Sequence, residues 1–180
     1  MNETLTMLRG AADHTSKLVT EIGEDEFPLP TPCADYDVKA LINHLEWGAT
    51  LFESLAQDGE FLPEKEYTGD FPDRVGRMLA VWARPESWEG VSQGLGLPKS
   101  VLANMALTDL VAHGWDLARA TGRTYEVEEE TAAALLAFAR QMAPTGRERG
   151  AFGQEVPVPE SASVLDRFLG VIGRDPAWKP

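Results

Sequence analysis

The sequence is short of cysteine, of histidine and of positive charge, and each shortage removes a class of answer. Cys33 is the only cysteine among 180 residues, so a disulfide framework and a cysteine-rich zinc knuckle are both excluded. Lysine and arginine number 16 against 29 acidic residues, a formal net charge of −13. A large basic footprint for nucleic acid or an anionic membrane is therefore not expected. No apolar run approaches the roughly 20 residues that cross a bilayer. Met1 to Gly10 also lacks the basic-then-apolar pattern of a secretion signal. The expectation is a cytoplasmic protein with no membrane or nucleic-acid partner.

What remains fits one globular domain over residues 1–180. Apolar residues make up 43% and charged residues 25%, close to globular averages, and the length suffices for a real core. There is no internal repeat or low-complexity tract.

Hydrophobic spacing sets out the helices. Leu5, Leu8, Ala12, Leu18 and Ile22 predict a first helix over 4–22, and Pro28, Pro30 and Pro32 then hold an extended connector. Asp35 and Asp37 stand where they can cap a second helix carrying Val38, Leu41, Ile42, Leu45, Phe52 and Leu55. Residues 58–70 read as a loop and 71–82 as a shorter helix. The glycine-bearing stretch 85–98 is a loop or a small hairpin. From Lys99 to Thr121 one apolar stripe predicts a long helix ended by Gly122. Three acids open a further helix over 128–142. Residues 145–159 read as irregular, with no role assigned, and a last short helix spans 161–172. The fold class is all-α, a four-helix bundle with short accessory and C-terminal helices.

Only His14, His44 and His113 are available for imidazole chemistry. Asp109 and His113 stand four apart in the long helix, one turn from each other on one face. Leu102, Met105, Ala106, Leu110 and Leu117 flank them, and a carboxylate in such company needs a partner. A metal, an arginine or a helix end would serve. His44 lies between Leu41 and Leu45, and Gly48, one turn on, leaves room beside it for a ligand or another backbone. Two histidines and a carboxylate suit zinc with an open position, and iron, nickel or manganese also suit the set. Spacing alone equally allows hydrogen-bonded structural roles for all three. Asp116 reads as an acceptor orienting an imidazole or as a surface contact. Trp47 and Trp115 read as core or as pocket walls, Cys33 as a small packed residue and His14 as structural or solvent-facing.

Two stretches carry a family resemblance: Thr31-Pro32-Cys33-Ala34-Asp35-Tyr36-Asp37-Val38 running on to Leu41-Ile42-Asn43-His44-Leu45, and Leu107-Thr108-Asp109-Leu110-Val111-Ala112-His113-Gly114-Trp115-Asp116-Leu117-Ala118. With the tail around Phe152 to Pro159, Leu165-Asp166-Arg167 and Gly173 to Pro176, they resemble an actinobacterial metal-binding family. That family is related to the N-terminal domain of mycothiol-dependent maleylpyruvate isomerase, within the DinB/YfiT-like helical-bundle superfamily. The resemblance implies a DinB-like four-helix bundle whose metal is held by a histidine on helix two and an acid-x-x-x-histidine pair on a later helix. Those positions fall on His44, Asp109 and His113. The isomerase carries glutamate where this chain has Asp109, one methylene longer.

Two function classes follow. In the first, a zinc-dependent thiol transferase or isomerase uses mycothiol as thiol cosubstrate, with a small-molecule thiol or electrophile as partner. In the second, the bundle is a non-catalytic metal-binding or ligand-sensing module. The residues name no catalytic group, and a homodimer is left open.

Overall fold

The computed structural model describes residues 2–180. Six α-helices are present: α1 over Glu3–Glu21, α2 over Val38–Ala56, α3 over Phe71–Trp82, α4 over Lys99–Ala120, α5 over Glu129–Glu148 and α6 over Val164–Val171. Short 3-10 turns occupy Glu24–Glu26 and Pro85–Trp88. Among the described residues there is no β-strand, only isolated bridges pairing Pro30 with Asp37 and Val91 with Pro98. The second of these is all that forms of the hairpin read over 85–98. Among the described residues no helix is long and apolar enough to cross a membrane.

Three helix starts follow their caps. Asn2 opens α1 by accepting from the Leu5 N–H, Asp37 opens α2 by accepting from the Ala40 N–H at 2.8 Å, and Ser163 opens α6 by accepting from the Asp166 N–H. Asp35, the other candidate for α2, is exposed and does not cap it. One end departs from expectation. The pattern predicts that the fifth helix stops near Met142, yet α5 continues through Pro144 to Glu148. Proline there withholds one N–H from the ladder, but Pro144 is exposed, so water can serve the carbonyl left over. Residues 145–148 are therefore helical rather than irregular.

α4 packs against α1, α2 and α5, α2 also against α3, and α5 against α6. This makes α4 the central helix, and it corrects the reading of a single apolar stripe. Every residue from Leu110 to Ala118 is buried, so this stretch has no solvent face, and the polar side chains within it must find partners inside. Leu8, Leu41, Leu55, Phe71, Leu107 and Phe168 are essentially inaccessible to solvent. Burying each contributes roughly 1.5–3 kcal/mol against its exposed state.

Past α6 the chain turns back on itself. Gly173 adopts φ 87°, a left-handed conformation that a side chain disfavours. Its N–H donates to the Gly170 carbonyl at 3.1 Å and the Arg174 N–H donates to the Leu169 carbonyl at 2.8 Å. This is the doubly bonded glycine termination of a helix. The turn directs Arg174 into the protein, where it is buried.

Candidate metal centre

The three residues singled out from the sequence converge. His44 on α2 places Nε2 3.5 Å from Asp109 Oδ1 on α4, and His113, one turn further along α4, places Nε2 3.4 Å from the same oxygen. One ligand atom from each residue lies within 4.8 Å of the others. The two imidazoles meet edge to face with ring centroids 5.0 Å apart. Two donors bound to one tetrahedral zinc ion at about 2.0–2.1 Å lie roughly 3.3 Å from each other. The spacings to Asp109 are close to that value and longer than a usual N–H···O bond of about 2.9 Å. The donor set therefore fits a small divalent ion.

Gly48 explains how α2 and α4 come this close. A Cβ at residue 48 would lie 2.7 Å from Asp109 Oδ2, inside contact distance. The room that glycine leaves beside His44 is taken by the Asp109 carboxylate, not by a backbone.

Each imidazole is also held from behind. His113 Nδ1 lies 3.0 Å from Asp116 Oδ2, and Asp116, fully buried, accepts from Arg174 Nε at 3.1 Å to Oδ1 and from Nη2 at 3.1 Å to Oδ2. A carboxylate on Nδ1 favours the tautomer whose Nε2 lone pair faces Asp109. Asp116 is thus the orienting acceptor, and Arg174 is a residue that sequence pattern did not single out. On the other ring, His44 Nδ1 lies 3.3 Å from the Tyr36 hydroxyl and 3.7 Å from Glu64.

Charge follows this geometry. Burial pulls the His44 pKa down, but the hydrogen bond and charge of Asp109, helped by Glu64, outweigh it and raise His44 above its ordinary value. Burial pushes Asp109 up, yet His44, His113 and Arg174 together hold its carboxyl below the usual aspartate range. The carboxylate is ionised at neutral pH, and His44 keeps its proton to a higher pH than an ordinary imidazole.

Cys33, His113 and Asp116 also bring one ligand atom each within 4.8 Å. That second group already has its cation, because Arg174 neutralises Asp116. Burial pushes the Cys33 thiol above its ordinary range, more than the Arg174 charge pulls it down, so it is not a primed thiolate. Trp47 lines the site, its ring 5.1 Å from His44 and its Nε1–H donating to the Leu62 carbonyl at 2.8 Å. Trp115 instead belongs to the core, with the Arg119 guanidinium over its ring. His14 is half-buried against Tyr125, away from the centre.

Residues 8–71 match the family model of the mycothiol maleylpyruvate isomerase N-terminal domain, a stretch that includes His44 and stops before α4. Uncharacterised proteins from two strains of Mycobacterium tuberculosis are each 27% identical over 179 residues, covering 91% of this chain and 93% of the relative. Among solved structures, a mutant of the mycothiol-dependent maleylpyruvate isomerase superposes with a TM-score of 0.65 at 19% identity, over 89% of this chain and 77% of that one. At that identity the likeness speaks for the fold alone. Part of the chain is thus similar to the mycothiol maleylpyruvate isomerase N-terminal domain family, and its all-α fold is shared with that isomerase.

Proposed function

We propose that this protein binds one divalent metal ion, zinc, through His44, Asp109 and His113, and uses it in a thiol-dependent transfer or isomerisation with mycothiol as the thiol. The observation that carries the reading is the meeting of two imidazole Nε2 atoms, from separate helices, at one carboxylate oxygen at 3.5 and 3.4 Å. A zinc ion held by two neutral imidazoles and one carboxylate, with net charge of about +1, would supply a Lewis acid that lowers the pKa of a thiol. The chain's own groups do the rest. Asp116 and Arg174 hold the His113 ring in register, and Tyr36 and Glu64 stand behind His44. The apolar flank of the site, including Met105 and Phe152, limits water near Asp109 and His113. The relation to a mycothiol-named family supports the thiol part of the reading.

Metal analysis of purified protein tests the first half. Wild type is expected to carry close to one zinc per chain. His113→Ala, which removes a ligand, is expected to weaken binding by more than the ~10–100-fold that outer-shell changes cost. Equal trace metal in both proteins would refute the site. Uptake should also weaken as pH falls, starting above the ordinary imidazole value of 6.5, because His44 is held above it and must give up its proton to bind. For the second half, zinc-loaded protein is assayed for conjugation of a low-molecular-weight thiol to model electrophiles. A rate no higher than that of His44→Ala would leave a metal-binding module without turnover.

A further inference from the structure

Asp109 and His113 also form part of the lining of a cavity of about 200 Å³ between α4, α5 and the 151–174 tail. Its walls are otherwise mostly apolar, with Phe52, Met105, Phe138, Met142, Phe152 and Ile172 supplying the bulk. A cavity of about 150 Å³ lined by aliphatic and aromatic side chains takes up benzene. This one therefore has room for a single ring and a short substituent. It does not suit a molecule that is polar throughout, because most of its wall offers no hydrogen-bonding partner.

The polar groups in the wall are nearly all spoken for. The Thr108 hydroxyl donates to the Asn104 carbonyl at 2.8 Å, and Arg174 is committed to Asp116. Arg149 differs. It follows the last residue of α5, it is exposed at the rim, and among the described residues its guanidinium makes no hydrogen bond or ion pair. In a chain of net charge −13 an anion is repelled by most of the surface, so a free guanidinium at the rim selects where a carboxylate can settle.

We propose that this cavity binds a small carboxylate whose body is one aromatic ring or an apolar group of that size. The body packs among Phe138, Met142 and Phe152, and the carboxylate lies on Arg149. Such a molecule is the electrophile, or its product, for the reaction proposed above. The inference rests on that reading for the fate of the ligand, but its binding does not require the metal.

The test is calorimetric titration of metal-stripped and zinc-loaded protein with hydrocinnamate, its neutral amide hydrocinnamide, and maleate. Hydrocinnamate is expected to bind both forms and the amide about fivefold more weakly, the scale of a solvent-exposed ion pair. Arg149→Gln should bring the acid down to the level of the amide, and maleate, which lacks an apolar body, should bind more weakly than either. Methyl NMR locates the ligand without any substitution. Met105 and Met142 are expected to shift, while Met7 and Met78, which do not line the cavity, stay in place. Equal affinity for acid and amide, unchanged by Arg149→Gln, would overturn the anion assignment. Shifts at neither Met105 nor Met142, or a preference for maleate, would overturn the cavity. The two readings fail separately. Zinc uptake with no hydrocinnamate binding removes this inference alone, and hydrocinnamate binding by a protein that takes up no zinc removes the metal reading alone.

Discussion

Glu46 and Asp109 are two acids turned into the same bundle, and they are treated differently. Glu46, on α2 only two residues from His44, is 2% exposed. It accepts from the Thr68 N–H and the Asp70 N–H, both at 2.9 Å, and the Thr68 hydroxyl lies between it and Asp70. These donors are neutral, fixed in the backbone and at ordinary hydrogen-bond length, so the carboxylate ties the 57–70 loop to α2 just before α3 begins. Asp109 receives no such backbone donors. Two imidazole nitrogens face it at 3.5 and 3.4 Å, longer than a usual hydrogen bond of about 2.9 Å. Burial of an acid therefore does not mark a site in this protein. The kind of partner does: a finished joint at Glu46, and a set of donors spaced for a shared cation at Asp109.

The largest expected effect comes from cutting the support behind His113. Arg174→Leu leaves Asp116 buried without its guanidinium, with only the His113 ring as partner, which should destabilise the protein by about 3–5 kcal/mol. Chemical denaturation reads the loss, and zinc affinity should drop alongside it. A change of under 1 kcal/mol would show that the Arg174–Asp116 pair is not the strut described. Next is the joint itself. Glu46→Ala strands two backbone donors and should cost about 1–3 kcal/mol while zinc stoichiometry stays unchanged. Loss of zinc in this variant would erase the distinction between the two acids.

Gly48→Ala sharpens the comparison in the opposite sense. Alanine favours a helix by about 1 kcal/mol over glycine, so the melting temperature should hold or rise slightly. The added methyl presses on Asp109 Oδ2, and zinc affinity should fall about tenfold, as for other changes that misplace a ligand. Unchanged affinity would mean that the carboxylate has slack. The smallest effect lies outside both regions. Arg123 donates to Glu26, and this bond, helped by the Gly23 N–H, lowers the Glu26 pKa. Its stabilisation is complete above the ordinary value of 4.5 and fades as pH falls below it, because the unfolded chain then takes up the proton more readily. Glu26→Gln should flatten the acid side of the stability curve by no more than the ~1 kcal/mol of a surface pair. A steeper acid limb would contradict the assignment.

Much of this was legible in the residues. Helical spacing and the Asp37 cap placed α2, the run from Phe71 to Trp82 placed α3, and the i,i+4 pair put Asp109 and His113 on one face. The meeting with His44 came from resemblance, since spacing within one helix cannot reveal what a different helix brings to it. Three features escaped for physical reasons. The Glu46 joint runs to backbone groups 22 and 24 residues away, and backbone donors carry no residue-type signal. The Arg174–Asp116 pair spans 58 positions. The apolar pattern ends at Met142, but α5 runs on because the exposure of Pro144 makes its missing N–H tolerable, which no residue pattern signals.

The bare backbone at position 48 has a consequence for how related chains can drift. The reach of the acid at 109, the separation of the two helical axes and the size of whatever occupies 48 describe a single gap. A relative with a longer acid cannot keep all three as they are here. Substitutions at the two positions should therefore be correlated through descent, and a lineage that gains a side chain at 48 should show a compensating change at 109.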